Sequence, residues 1–346
     1  MVNKQSSSQS YQVNQYSLLN SNDIKLLAIR RTNLVGRIGL YSLTVFMISC
    51  PLAIVAACIW LFASWAQYGW FLILFRTLVA LTLVSISMLF FILFILYRFF
   101  VPEREFHYLD LNRAKVHVCL TAYNDEICIG DAVKEFKNNP LVDKVIVVEN
   151  NSKDNSYQVA VECGADIVVT ERVQGYGACC MRALAEAAEG LDNDDIIVLC
   201  EGDMTFSGND INKFIAYMEN CDLVLGTRAT QELRATKTQM DWLINPGNQI
   251  VAKMIQTRFW GTRLTDVGCT YRAIRVGAYY RLASRLNVKG NHFSPHMFIE
   301  ALKMRMRVIE IPVVFRSRAG ESKGVGSNKI KAAKVAFRML KILYTA

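Results

Sequence analysis

An α/β domain built on a mostly parallel sheet and preceded by a two-helix membrane hairpin is the architecture this sequence predicts. Three observations lead there. The runs Leu40 to Phe62 and Thr77 to Tyr97 carry no charge, and each can cross a hydrocarbon core, which takes about 20 helical residues. Beyond Lys115, short apolar runs alternate with amphipathic segments, the rhythm of repeated β-α-β units. Those apolar runs, such as Val145-Ile146-Val147-Val148, do not alternate with polar residues, as expected of strands covered on both faces.

The N-terminal elements follow from charge. Residues 1–36 read as a cytosolic tail rich in Ser, Gln and Asn that gains Lys25, Arg30 and Arg31. Residues 37–100 form the hairpin, with spans at about 40–62 and 77–97. Pro51 is expected to kink the first helix, with neighbouring Ser and Thr hydroxyls satisfying the freed carbonyl. Lys4, Lys25, Arg30, Arg31 and Arg37 precede the first run, and Arg98, Arg104, Arg113 and Lys115 follow the second. By the positive-inside rule both flanks face the cytoplasm. The chain is therefore expected to be an integral, multi-pass membrane protein with its catalytic domain in the cytosol. The first run starts too far into the chain, and is too long, for a cleaved signal peptide.

Residues 101–323 form the α/β domain. Strands are predicted at Lys115–Leu120, Lys144–Val148, Ile167–Val169, Asp195–Cys200, Leu223–Leu225 and Ile309–Val313. Helices are predicted at Ile129–Lys137, Tyr157–Cys163 and Ala178–Glu189. The chain has 346 residues, 52% hydrophobic and 20% charged, which excludes a disordered chain, collagen and a small disulfide scaffold. Its ten cysteines form no CxxC pair and have no histidine-rich companion cluster, so zinc and redox motifs are not indicated. They read as reduced, in keeping with a cytosolic body. The net charge of +9 gathers near the membrane segments, and no base-stacking module accompanies it, so nucleic acid is not the expected partner.

Seven polar clusters carry the chemistry. Thr121-Ala122-Tyr123-Asn124-Asp125-Glu126 and Glu149-Asn150-Asn151-Ser152-Lys153-Asp154 each follow an apolar strand. Their acids and amides can accept from ribose hydroxyls and base N–H groups, and each also suits an ordinary strand-to-helix turn with an N-cap. Arg172-Val173-Gln174-Gly175-Tyr176-Gly177-Ala178 opens a helix, where glycines let backbone N–H groups approach an anion or simply make a turn. Glu201-Gly202-Asp203 sets two carboxylates after a buried strand, as a solvated turn or as hard oxygen ligands for Mg²⁺ or Mn²⁺. Gly226-Thr227-Arg228, Thr265-Asp266-Val267-Gly268-Cys269-Thr270-Tyr271-Arg272 and Phe315-Arg316-Ser317-Arg318-Ala319-Gly320-Glu321-Ser322-Lys323 supply guanidinium groups and a flexible loop suited to phosphate oxygens. Ligands of such sheets bind at the carboxyl ends of the strands.

Taken in this order, the clusters resemble those of family 2 glycosyltransferases of the GT-A fold. More narrowly, they resemble polyprenyl-phosphate glycosyltransferases of the dolichol-phosphate mannose synthase type. The resemblance covers about residues 115–323. Thr121 to Glu126 stands at the family's Pro-x-Tyr-Asn-Glu segment, Glu149-Asn150 at its nucleoside-binding Asp pair, and Glu201-Gly202-Asp203 at its Asp-x-Asp metal motif. Gly226-Thr227-Arg228 matches a Gly-Ser-Arg segment, and Arg318 to Lys323 matches the loop near the phosphates. Thr121 replaces a proline, Asn150 an acid and Glu201 an Asp, and Thr205 stands where mannose synthases have a metal-binding Gln. These departures leave the donor as either a UDP- or a GDP-sugar.

The resemblance implies inverting transfer of a sugar from a nucleotide sugar to a polyprenyl phosphate. Asp203, helped by Glu201, would hold Mg²⁺ or Mn²⁺. Thr121, Ala122, Tyr123, Asp125, Glu149, Asn150, Gly177 and Gly202 would line the nucleotide. Arg228, Arg318, Ser322 and Lys323 would meet donor or acceptor phosphates. Asp203, Arg228, Asp266 and Arg272 would carry catalysis, with Asp266 able to accept a proton if one must move. An ionised acceptor needs orientation and charge compensation more than a strong base.

Residues 324–346 read as an amphipathic interfacial helix. Ile330, Ala333, Phe337, Leu340 and Tyr344 share one face, and Lys331, Lys334, Arg338 and Lys341 the next. The hairpins also offer a surface for homo-oligomer formation. Three other functions meet specific objections in the sequence. A processive polysaccharide synthase would need a Gln-x-x-Arg-Trp motif, which Gln239-Met240-Asp241-Trp242 does not supply. A sugar nucleotidyltransferase has no need of a hairpin. A catalytically inactive membrane scaffold of the same fold is opposed by Asp203, Arg228 and Lys323. Transfer to another membrane or polysaccharide acceptor remains the alternative within the family.

Overall fold

A computed structural model describes residues 21–62, 69–92, 111, 114–236, 238, 244–259, 262–318 and 329–345. The chain divides into two units, residues 1–102 and 103–346. The first contains helices α1 (Ser21–Phe62) and α2 (Gly69–Phe91). Over Leu34–Ile59 and Gly69–Phe91 both are long and apolar enough to cross a membrane. Helix α1 runs through Pro51 to its end at Phe62. Helix α2 starts at Gly69, well before the expected Thr77, and takes Arg76 into its length, because nothing between those residues breaks a helix. The Thr82 hydroxyl lies 2.9 Å from Ser49 Oγ and pins the two helices together. Ile54, Val55, Ile73 and Val84 face outward.

The second unit is organised by one seven-stranded sheet of order β3-β2-β1-β4-β6-β5-β7. The strands are β1 (Val116–Ala122), β2 (Lys144–Glu149), β3 (Ile167–Thr170), β4 (Ile196–Glu201), β5 (Leu223–Thr227), β6 (Arg272–Arg275) and β7 (Val308–Pro312). Every residue of β1 is buried, His117 and Thr121 included, which explains why its sequence shows no polar outer face. β1 pairs in parallel with β2 and β4, setting Ala122 opposite Glu149 and Thr121 opposite Glu201. This register brings the polar ends of three strands to one rim. β6 is antiparallel to both β4 and β5. The Thr265–Tyr271 cluster precedes β6 rather than following a strand, yet it reaches the same rim, because an antiparallel strand begins where its neighbours end.

Helices cover both faces of the sheet. Helix α3 (Ile129–Lys137) buries Ile129, Ala132, Val133 and Phe136, the spacing of one helical face. Helices α4 (Ser156–Glu162) and α5 (Tyr176–Ala188) follow β2 and β3. Helices α6 (Ile211–Met218), α7 (Ile244–Phe259), α8 (Val276–Ala283) and α9 (Phe293–Lys303) complete the layers. An aromatic cluster centres on Tyr271, with Phe214, Phe206 and Phe136 at ring distances of 4.5, 5.3 and 6.0 Å. The Tyr271 hydroxyl donates to the Ser207 carbonyl at 3.1 Å, which fixes the turn after β4 to the core.

The last helix, α10 (Lys329–Thr345), packs on α9. Its inward side chains are Met339 and Leu343, with Leu343 fully buried, while Phe337 is 72% exposed. The buried stripe therefore lies to one side of the face expected from the sequence, and Phe337 stands outward with Lys334, Arg338 and Lys341. Residues 324–328 of the expected helix lie outside the described residues.

Candidate active site

The rim is built from two laced loops. Asn124, at φ 51°, donates its backbone N–H to Ser152 Oγ and accepts from the Lys153 N–H. Across the same seam the Glu126 N–H donates to Asp154 and the Asn155 N–H to Glu126. Asp125 donates its N–H to Ser156 Oγ at 2.7 Å. The acids and amides of the first two clusters thus join the ends of β1 and β2 into one floor. Tyr123 is 36% exposed on it, while Thr121, Ala122 and Glu149 are buried beneath. The carbonyls of Thr121 and Ala122 accept from the Gly202 and Asn150 N–H groups, so these residues hold strand ends together.

The turn after β4 brings the carboxylates in. Asp203 is 2% exposed and accepts from the Thr205 N–H and hydroxyl at 3.1 and 2.5 Å. Burial and the neighbouring Asp203 push the Glu201 carboxyl up to about 8. Arg318 reaches across the rim. One arm donates to Asp125 Oδ1 at 2.7 Å and the other lies 3.3 Å from Asp203 Oδ2. The sequence placed these residues in separate clusters, and the fold brings them together.

A second network holds Arg228. Its Nε and Nη2 donate to the two Asp266 oxygens at 2.7 and 2.9 Å. Asp266 also accepts from the Arg228 and Gly268 N–H groups and from Asn248 Nδ2. Burial works to raise the Asp266 carboxyl, but the charge and hydrogen bonds of Arg228 outweigh it and hold the group below the usual carboxylate range. Asp266 is thus committed to Arg228 and is not poised as a base, contrary to the expectation that it could take a proton. A Cβ on Gly268 would lie 2.9 Å from Arg228 Nη2, so the glycine makes room for the guanidinium. Behind them, Glu310 of β7 accepts from the Thr265 N–H and hydroxyl and from the Asp266 N–H.

Sequence reasoning missed Glu310, and it missed Glu135. The Glu135 carboxylate receives both arms of Arg316 at 2.7 and 2.9 Å, and also the Ser207 hydroxyl and the Gly208 N–H. The Arg316 N–H donates to the Thr205 carbonyl. This clamp fixes the start of the segment that delivers Arg318. The available signal was an acid on the inner half of an amphipathic helix, which reads equally as solvated surface.

Four expected site residues serve packing instead. Gly177 lies under the 288–289 backbone, where a Cβ would stand 2.1 Å from the Val288 carbonyl oxygen, so this glycine permits a close backbone approach and does not cradle a phosphate. At Gly202 a Cβ would meet Ile129 Cδ1 at 2.4 Å, so it seats α3 against the turn. Asn150 spends its amide on the Glu171 and Val173 carbonyls and its oxygen on Gln174 and the Gly175 N–H, which leaves little of it for a base. Arg272, 1% exposed, donates to the Ser294 and Cys269 carbonyls and is sealed from the rim. Ser322 and Lys323 lie outside the described residues. All ten cysteines are free thiols.

Among the described residues no three His, Cys, Asp or Glu side chains are grouped to cage a metal. The two hard carboxylates after β4 suit a Mg²⁺ or Mn²⁺ ion that takes its remaining ligands from water and substrate phosphate, the usual arrangement for such ions. A carboxyl raised by burial and then by a neighbouring carboxylate is also the environment that a cation relieves.

Residues 117–283 match the family described as Glycosyl transferase family 2. A glycosyltransferase of Haloferax volcanii, AglJ, is 24% identical over 204 residues, covering 58% of this chain and 63% of its own length. A dolichyl-phosphate hexose transferase of the same organism is 25% identical over 207 residues, covering 60% of this chain and 85% of its own. Glucosyl-3-phosphoglycerate synthase of Mycobacterium tuberculosis, solved with Mn²⁺, uridine diphosphate and glucosyl-3-phosphoglycerate, shares the fold. Its TM-score is 0.52 at 16% identity, with 68% of this chain and 81% of that one covered.

Proposed function

We propose that this chain, which matches Glycosyl transferase family 2 over residues 117–283 and has a GT-A fold, transfers a sugar, with inversion, from a UDP- or GDP-linked donor to a membrane polyprenyl phosphate. One juxtaposition carries the reading: Arg318 bridges Asp125, after β1, and Asp203, after β4, while Asp266 fixes Arg228 at the end of β5. An anion-rich donor and an anionic acceptor need that mixture of charges. The lipid acceptor is supported by two helices of membrane length and by the name of the hexose transferase relative. The outward Phe337, Lys334, Arg338 and Lys341 of α10 suit an anionic headgroup layer. The positive flanks of the hairpin support a cytosolic catalytic domain.

The nucleoside lies on the floor that exposes Tyr123, with Asp125 at its edge and Glu149 supporting it from beneath. Glu201 and Asp203 would hold the divalent ion, which when bound neutralises charge on the leaving diphosphate. Arg228, fixed by Asp266, and Arg318 orient phosphate oxygens. An acceptor phosphate oxygen forms the bond to the anomeric carbon as the bond from that carbon to the diphosphate oxygen breaks, and the electron pair leaves on the diphosphate. No proton has to move, which agrees with an Asp266 committed to Arg228.

The test is transfer by the purified full chain with polyprenyl phosphate, Mg²⁺ or Mn²⁺ and a panel of radiolabelled UDP- and GDP-sugars. Label should enter organic solvent from one donor and not with Asp203→Asn. Label found only in a water-soluble phosphorylated acceptor would overturn the lipid reading. Near-normal transfer by Asp203→Asn would overturn the metal assignment.

A further inference from the structure

We propose that Arg318 is an internal counter-ion that stands on the diphosphate–metal ground while nucleotide is absent, and so makes divalent-cation binding depend on the diphosphate. The inference rests on the metal and donor reading above.

The guanidinium bridges two turns. Its Nη2 is 2.7 Å from Asp125 Oδ1, after β1, and its Nη1 is 3.3 Å from Asp203 Oδ2, after β4. Asp203 Oδ1 is already taken by Thr205. The oxygen that Arg318 faces is therefore the one best placed for a cation. The Arg318 side chain is 16% exposed, and its buried Nε has no hydrogen-bond partner among the described residues. A planar fork with an unfilled donor is incompletely served by two carboxylates and gains when phosphate oxygens arrive. The other guanidinium acting on Glu201 is Arg228, and both its arms are engaged by Asp266. Among the described residues, Arg318 lies against both Asp125 and Asp203. Two residues earlier, Arg316 is clamped by Glu135 and Ser207, so the base of the segment stays fixed while residue 318 changes partner.

The consequence is a linkage. A divalent ion arriving alone must displace a positive group from Asp203 and then sit beside it. Arriving with a diphosphate, it finds that group attracted to the phosphate oxygens instead. Ion and nucleotide therefore strengthen each other's binding, by the same factor in either order.

The experiment measures Mn²⁺ binding to the full chain in detergent from the electron paramagnetic resonance signal of the free aqua ion, without nucleotide and with UDP or GDP. Arg318→Met should bind Mn²⁺ alone at least about tenfold more tightly than the unmodified chain, and the enhancement by nucleotide should shrink by a similar factor. Arg318→Lys, which keeps the charge, should stay within about threefold of the unmodified chain. A circular dichroism melt establishes that both variants are folded. The proposal is overturned if Arg318→Met binds Mn²⁺ alone no more tightly than the unmodified chain while nucleotide still promotes binding. It is equally overturned if Arg318→Lys binds as tightly as Arg318→Met. If no protein binds Mn²⁺ even with UDP or GDP, the metal reading itself falls and takes this inference with it.

Discussion

Replacing Asp266 by Asn probes the buried charge network most directly. The side chain is fully buried, and its partner Arg228 is 14% exposed. Oδ2 receives the Arg228 N–H and Nε, and Oδ1 receives Arg228 Nη2, the Gly268 N–H and Asn248 Nδ2. Whichever way the Asn amide turns, its NH₂ faces donors in place of an acceptor, and Arg228 keeps its charge without a counter-ion. Leaving one partner of a buried pair uncompensated costs about 3–5 kcal/mol. At about 2–4 °C per kcal/mol for a domain of this size, the melting temperature should fall by roughly 6–20 °C. Transfer should also fall by about a hundredfold or more, the scale of losing one oriented charge-stabilising group. The assay is thermal unfolding of the full chain in detergent, followed by tryptophan fluorescence, beside lipid-linked label transfer. Asp266→Asn/Arg228→Met removes both charges, and should recover most of the stability and none of the transfer. An Asp266→Asn chain melting within 2 °C of the unmodified one would refute the argument that this ion pair anchors the rim.

Other outcomes follow from the same geometry. Gly177→Ala forces a Cβ to 2.1 Å from a backbone oxygen and should cost about 1–3 kcal/mol or more in the melt; an unchanged melt with lost UDP and GDP binding would restore the phosphate-cradle reading. Glu135→Gln should cost only about 1 kcal/mol of stability, because the Arg316 side chain is 38% exposed and screened. It should nevertheless lower turnover about tenfold or more while leaving nucleotide affinity within about threefold, since it loosens the clamp ahead of Arg318; unchanged turnover would show that the clamp does not position Arg318. His117, 4% exposed with Nδ1 2.8 Å from the Ala187 carbonyl, has its pKa lowered from 6.5 by burial. A lowered folded value means that its contribution to stability is complete above that pH and is lost as pH falls toward the folded pKa. His117→Gln should therefore flatten the loss of stability between about pH 7 and 5, read as melting temperature against pH. An identical slope in the two chains would remove His117 from that account.

The β-α-β order was legible because a strand buried on both faces has no freedom in composition. The strand expected at Lys115–Leu120 is found at Val116–Ala122, and the helix over Ile129–Lys137 shows its inner face in the spacing of Ile129, Val133 and Phe136. The start of α2 was not legible. An uncharged window excludes Arg76, whereas a helix includes whatever nothing interrupts. For α10, hydrophobic periodicity left two adjoining stripes available, and only its packing on α9 selected Met339 and Leu343 as the inward pair.

The site divides along a related line. Residues whose chemistry is scarce in apolar surroundings, Asp203 and Arg228, stood out, because a charge just after a buried strand needs a partner. Residues whose role is steric did not. Gly177 and Gly202 look like any glycine beside a polar cluster, and only the backbone of residue 288 or the Ile129 side chain shows what each makes room for. Glu135 and Glu310 were invisible for a third reason: each lies far along the chain from the arginine or threonine it holds, and such pairings are made by the sheet order, not by any local pattern. The supporting charges can therefore vary in identity without altering the motifs that face substrate. The segment that delivers Arg318 is held by Glu135, and the turn that carries Asp266 is held by Glu310, side chains that no motif contains.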